Sequence, residues 1–378
     1  MNETTRSTEY TTESALFLAF ELSKAKWKLG FSIGLAQSPR RRTIDAGDLQ
    51  ALQEEIRMAK RRFGLPETAA VRSCYEAGRD GFWLHRYLLE EKVDNLVVDS
   101  SSIEVNRRAK RAKTDRIDVG KLLNMLIRYH GGEDKVWHVV HVPSVEAEDM
   151  RHLHRQLLSL KVDHTRCICR IKGLLASQGV QVPLHANFMD SVAAARMWNG
   201  DRLPPGLTAR IAREYAHLQY VHQQIKELET EREELIKNSD DPSMAQVRQL
   251  MKLKAIGPNS AWLFVMEFFG WRQFRNRREV GGLAGLTPTP YQSGEEAREQ
   301  GISKAGNRPV RAMAIEIAWG WLRYQPDSEL THWFHENFGH GGKRLRKVGI
   351  VALARKLLVT LWRYLETGEI PAGAQLNP

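Results

Sequence analysis

Two aspartates three residues apart, Asp115 and Asp118, close a basic run in RRAKRAKTDRIDVG (107–120). On a helix that spacing puts both carboxylates on one face. Two glutamates, Glu21 in ALFLAFELS and Glu76 in AAVRSCYEAG, lie near the ends of apolar runs with strand character. Four carboxylates gathered in one cleft would repel one another unless cations sat between them. Magnesium prefers such hard oxygen ligands and shares its shell with phosphate oxygens. Two such ions stabilise both the attacking and the leaving oxygen of a phosphodiester displacement. The adjacent Arg107, Arg108, Lys110, Arg111, Lys113 and Arg116 would then hold a nucleic-acid strand by its backbone. The plainer alternative is a solvated helix start, where acidic residues favour the positive end of the dipole. Spacing alone leaves both open.

The elements that must position these residues alternate in type. Strands are expected over 15–23, 27–35, 69–78 and 95–101, with the first two at hairpin distance. Helices are expected over 48–64, through FWLHRYLLEEK, and over KTDRIDVGKLLNMLIRYH (113–130). This alternation marks an α/β domain over residues 1–143. From residue 144 the pattern changes. Met150, Leu153, Leu157, Leu160, His164, Cys167, Ile171 and Leu174 recur at steps of three and four, and Ile211, Tyr215, Leu218, His222, Ile225, Leu228 and Leu235 form a looser second seam. An antiparallel coiled-coil or dimerisation region is therefore expected over 144–240, with His164 and Cys167 as seam residues. DDPS (240–243) is a plausible boundary before a mainly helical domain over 241–378. There, AIGPNSA (255–261) has the form of a helix–hairpin–helix turn, and the tail over 343–365 is a basic amphipathic helix.

Composition narrows the partners. The chain carries 56 Lys and Arg against 45 Asp and Glu, a formal charge of +11, which points to polyanions. The three cysteines, Cys74, Cys167 and Cys169, form neither a disulfide framework nor a zinc pattern. No apolar run approaches the roughly 20 residues of a membrane span, and the polar start MNETTRSTEYTTES lacks signal-peptide order. A cytoplasmic, nucleoid-associated protein is the expectation.

The acidic strand followed by LSKAKW, the later strand with YEAG, and KTDRID opening a helix together resemble the RuvC-like acidic domain of the DEDD-type insertion-sequence transposases, also described as bridge-RNA-guided DNA recombinases. FRNRREVGGLAGLTPTPYQSG (274–294) and GISKAGNRPVRAMAIEIAW (301–319) independently resemble that family's C-terminal transposase domain. The resemblance covers roughly residues 15–325 in the family's order. It implies an RNase H/RuvC-like fold for the first domain and a tetrad of Glu21, Glu76, Asp115 and Asp118 binding magnesium, as two ions. Ser293 in the QSG motif would be the nucleophile that forms a transient phosphoserine link to DNA, and Lys304, Asn307, Arg308 and Arg311 would donate to phosphate. The implied partners are donor and target DNA, a structured noncoding guide RNA, and further copies of the chain in a dimer or tetramer. The first position departs from the family, whose pattern there is Asp-x-Ser-Lys, whereas this chain reads Glu-Leu-Ser-Lys. Two other readings remain: a RuvC-like junction-resolving nuclease that uses water, and a catalytically silent nucleic-acid-binding protein. Trp319, Trp321, Tyr324 and Trp333 fit base stacking on paper, but residues of that size on helices more often pack a core.

Overall fold

The computed structural model describes residues 15–35, 37–103, 115–293 and 296–377, and at 101, 115–118, 290–293 and 296–300 it describes the backbone alone. Contacts divide the chain into two compact units, Met1–Val142 and Pro143–Pro378.

In the first unit, β1 (Leu16–Leu22), β2 (Lys26–Ser32) and β3 (Arg40–Asp45) form an antiparallel meander. Strands β4 (Val71–Glu76) and β5 (Asp94–Val98) extend it in parallel on the other side of β1, giving the order β3-β2-β1-β4-β5. Both faces of β1 are apolar because both are covered. Leu16, Leu18 and Phe20 pack with Leu52 of α1 (Leu49–Arg62) and with Leu84 and Leu88 of α2 (Trp83–Glu90). Phe17 and Ala19 face the opposite way, towards Val119, Leu122 and Leu126 of α3 (Asp115–His130). Asp48 caps α1 by accepting from the Ala51 amide at 2.9 Å, and Gly64 leaves the helix at φ +67°. Sequence patterning gave no sign of β3: only Arg40 and Ile44 of RRRTID are buried. Arg40 is held by Glu55 at 2.5 Å and lies over the Phe31 ring at 5.6 Å.

The second unit is built on two long helices, α4 (Val145–Ala176) and α6 (Pro205–Asn238), joined through α5 (Phe188–Ala194). They run antiparallel, as the pairs Lys161–Glu229 at 2.7 Å and Arg170–Glu214 at 2.9 Å require. Leu157 packs with Val221 and Ile225, Cys167 and Ile171 with Ile211 and Leu218, and the His164 and His222 rings lie 5.7 Å apart. Asp241 then caps α7 (Pro242–Met251), and Arg248 reaches back to the Ile236 and Ser239 carbonyls at 2.6 and 3.0 Å. Ile236 shares one core with Met244 and Val247, so packing continues across the helix break from α6 into the helices that follow. Those helices are α8 (Pro258–Phe264), a π-helical turn over Val265–Phe269, and α9 (Arg277–Leu283). The hairpin of β6 (Pro288–Ser293) and β7 (Glu296–Ile302) follows, and then α10 (Arg308–Tyr324), α11 (Glu329–Phe338) and α12 (Lys343–Thr367). One side of α12, with Ile350, Leu353, Leu357 and Leu361, is fully buried in the core of this unit. No described helix is long and apolar enough to cross a membrane.

Candidate functional site

The register of the sheet brings two of the four expected carboxylates together. Phe20 pairs with Tyr75 across parallel strands, so Glu21 and Glu76 follow side by side at the strand ends, about 5 Å apart along the hydrogen-bonding direction. Both belong to the face carrying Ala19 and Cys74, which is the face α3 covers. Glu21 is half-buried, with Lys28 opposite it on β2, and Glu76 is exposed. The direction of α3 decides the rest. The ring of its last residue, His130, lies tilted against Phe17 at 5.9 Å, near the start of β1. The Leu122 carbonyl lies 3.8 Å from the Cys74 sulfur, and Val119 lies against Gly30, the partner of Ala19. The helix therefore runs opposite to β1, and its first turn, with Asp115 and Asp118 in its backbone, reaches the end of the sheet where Glu21 and Glu76 stand. That approach depends on a missing side chain: a Cβ on Gly30 would lie 2.4 Å from the Val119 Cγ1. A further carboxylate, Asp99, follows β5 at the same edge, its amide held by the His138 carbonyl at 2.9 Å. The donors are all carboxylates, a set that suits a hard divalent cation. Among the described side chains no group of three or more His, Cys, Asp or Glu residues is close enough to hold a metal. Of the basic run, Arg107, Arg108, Lys110, Arg111 and Lys113 lie outside the described residues, and Arg116 is placed by its backbone in α3.

Ser293 is the last residue of β6 and pairs with Glu296 at the end of a β-hairpin, a segment whose sequence reads as a polar loop. The foot of that hairpin is tied down by backbone. The Asn307 amide donates to the Leu283 carbonyl at 2.8 Å, Lys304 to Gly285 at 3.2 Å and Ser303 to Thr287 at 2.9 Å. Gly306, at φ +108°, makes this possible, since a Cβ there would lie 2.2 Å from the Leu283 carbonyl oxygen. Two of the expected phosphate donors have local partners. Asn307 caps α10 by accepting from Val310 at 3.0 Å and donates to the Glu267 carbonyl at 3.4 Å. The Arg311 guanidinium donates to the Ala284 carbonyl at 3.1 Å. Lys304 and Arg308 are exposed. Trp321 is fully buried and donates to Ser328 at 3.1 Å, Trp319 and Tyr324 are exposed, and Trp333 carries the Lys356 ammonium over its ring at 4.4 Å.

The π-helical turn behind the hairpin foot aims a buried carboxylate into the long-helix pair. Glu267 receives a bidentate fork from Arg155 of α4 at 2.6 and 2.9 Å. Beside it, His154 is 1% exposed and neither ring nitrogen has a hydrogen-bond partner. Burial pushes its imidazole down to about 4, with Arg232 the next cause and Lys161 and Arg155 adding to it, against a smaller upward pull from Glu267. This histidine is neutral near pH 7.

A feature that sequence reading missed is a cleft of about 1260 Å³ between α9, the legs of the hairpin, α11 and the outer side of α12. Ten of its lining residues are Lys or Arg, and none of its described lining residues is Asp or Glu. The signal was present in KRLRKVGIVALARKLL, where Arg344, Lys347 and Arg355 share one stripe of α12. What faces that stripe was not in the sequence.

A family model, Transposase IS116/IS110/IS902 family, matches residues 247–332. A Sinorhizobium fredii (strain NBRC 101917 / NGR234) protein described as "Putative transposase y4rJ" is 39% identical over 378 residues, covering 96% of this chain and 95% of its own. The chain belongs to this transposase family. A second relative, the transposase for insertion sequence element IS1328 of Yersinia enterocolitica, is 25% identical over 238 residues, covering 62% of this chain and 67% of its own. In this transposase the matched segment runs from α7 into α11 and contains the Ser293 hairpin with its foot, while α12 and the outer wall of the basic cleft lie beyond it. The Sinorhizobium relative spans the sheet unit as well.

Proposed function

We propose that this chain cuts and rejoins DNA as the transposase of an insertion sequence, through an acidic centre on the sheet unit and a serine nucleophile on the hairpin. The observation that carries the acidic half is the side-by-side placement of Glu21 and Glu76 at the strand ends that the first turn of α3 approaches. The sheet order β3-β2-β1-β4-β5, with carboxylates at strand ends, supports an RNase H/RuvC-like reading. Glu21, Glu76, Asp115 and Asp118 would hold magnesium, as two ions, and bound magnesium would supply a hard positive centre beside the reacting phosphate. Family membership and the anchored hairpin support Ser293 as the attacking group. The Ser293 oxygen forms a bond to phosphorus while a deoxyribose oxygen leaves. The serine proton passes to a base, and the departing oxygen takes up a proton. A hydroxyl of the second strand then attacks the phosphoserine and frees the serine, so two strands are exchanged without net hydrolysis. Choice of donor and target sites falls to a structured noncoding RNA paired with both DNAs, and the chain works as a dimer or tetramer.

The test is recombination between plasmid-borne donor and target sites with the flanking noncoding RNA supplied, comparing the natural protein with Ser293→Ala and Glu21→Asp. The expected result is activity in the natural protein that is lost, together with any covalent protein–DNA adduct, in Ser293→Ala. Continued DNA cutting by Ser293→Ala would favour a water-using nuclease instead. Activity confined to Glu21→Asp would mean that the longer carboxylate disables the centre. If no variant recombines while nucleic acid is still bound, the chain is a silent binding protein.

A further inference from the structure

The basic cleft of the second unit is not explained by the packing of that unit. Among the described side chains, none of its ten cations has a carboxylate within ion-pair distance. Ten like charges gathered around one cavity repel one another and raise the free energy of the fold, a cost that a polyanion reverses on binding. The floor is of the opposite character. Leu286 is buried, Ile302, Ile315, Val351 and Val359 are half-buried, and Val348 is 51% exposed. Cationic walls over an apolar floor suit a ligand with charge on one side and flat apolar faces on the other.

We infer that this cleft is a path for single-stranded DNA, with phosphates along the Lys and Arg walls and unpaired bases turned to the apolar floor. A duplex fits less well, because its bases are stacked inside and would leave the floor uncovered. RNA fits less well for a related reason: of the non-cationic lining side chains only the Thr360 hydroxyl and the Trp333 indole N–H could pair with 2′-hydroxyls, so the remaining hydroxyls would be buried without partners at a cost. From Arg344 to Arg363 the part of α12 that lines the cleft is about 28 Å long, enough for roughly four to eight nucleotides. The path ends at the hairpin legs, where Pro288 and Ile302 line it. Ser293 lies five residues further along β6, about 17 Å at strand rise. This rests on the proposed function to the extent that a strand led along α12 arrives at the serine hairpin.

The experiment reads binding alone, in EDTA, so that failure of the catalytic reading cannot be mistaken for failure of this one. The full chain is titrated against a fluorescein-labelled 24-nucleotide single-stranded DNA of mixed sequence, its duplex, and an RNA of the same sequence. Anisotropy is followed over a range of salt. The variant is Arg344→Glu/Lys347→Glu/Arg363→Glu, all on exposed positions of α12. A control with the same charge change, Arg210→Glu/Arg213→Glu/Lys226→Glu, places it on the exposed side of α6. The α12 triple variant is expected to weaken single-stranded DNA binding at least tenfold and to lower the salt slope by about two, three contacts at about 0.7 each. The control is expected to change affinity less than threefold. Equal losses in both triple variants, or tighter binding of the duplex or the RNA with the same α12 dependence, would overturn the assignment.

Discussion

Gly30 on β2 is where the fold of the sheet unit and the chemistry of its edge meet, and adding one methyl group there tests both. Alanine normally gains over glycine in a strand, by about 0.5–1 kcal/mol, because it narrows the unfolded ensemble. Here the new Cβ would lie 2.4 Å from the Val119 Cγ1, against an ordinary carbon contact of about 3.5 Å. Valine on a helix has one favoured rotamer, so the relief must come from moving α3 outward by roughly 1 Å. Overpacking of this kind costs about 1–3 kcal/mol, which reverses the sign expected for an open site. Urea denaturation of Gly30→Ala, Val119→Ala and the double variant isolates the contact. Val119→Ala alone should cost about 2 kcal/mol. The double variant should be no less stable than Val119→Ala, a coupling of about 1–3 kcal/mol. Because α3 carries Asp115 and Asp118 in its first turn, a 1 Å shift should also lower recombination about a hundredfold. A Gly30→Ala protein as stable as its parent, with no coupling to Val119, would refute the packing argument on which the position of α3 rests.

Other outcomes follow from the second unit. His154, held near 4 in the folded chain against an ordinary 6.5, stays neutral while the unfolded chain takes up a proton. Stability should therefore fall as pH drops from 6.5 to about 4, by up to about 3 kcal/mol, and urea curves of His154→Leu should lose most of that slope. Arg155→Ala strands the buried Glu267 carboxylate and should cost about 3 kcal/mol, whereas Glu267→Gln leaves a half-exposed arginine that water can solvate and should cost less; thermal denaturation of both ranks them. Gly306→Ala puts a Cβ 2.2 Å from the Leu283 carbonyl at a backbone angle of +108°. It should cost about 3 kcal/mol and expose the hairpin to limited proteolysis. Of the three thiols only Cys169 is exposed, so one thiol per chain should react with a disulfide reagent under native conditions and three after denaturation.

Much of the fold was legible because its signals are local. The apolar run of β1, the alternation of strands with helices and the heptad steps of α4 each declare an element within a dozen residues. Strand β3 was not legible: an edge strand held by Arg40 and Glu55 has no apolar alternation to announce it. The polar stretch around Ser293 carries no strand pattern either, and pairs as a hairpin only because the loops at Gly285 and Gly306 fasten its foot. The expected boundary near residue 240 carries a true helix break, but Ile236 and Arg248 bind across it, and such long-range contacts leave no mark on local composition.

The sequence by itself determined the residue types available for chemistry: four carboxylates suited to a hard cation, a serine in a glycine-bearing segment, and an excess of positive charge. Tertiary structure decided which of them meet. Glu21 and Glu76 are 55 positions apart and become neighbours only through the parallel register of β1 and β4, while the antiparallel run of α3 directs its first turn towards the same edge. The cleft is decided in the same way. Periodicity places Arg344, Lys347 and Arg355 on one stripe of α12, but only the packing of α9, α11 and the hairpin opposite turns that stripe into a walled channel. A helix face is a property of nearby residues, whereas a cavity is a property of the distance between elements, which folding alone sets.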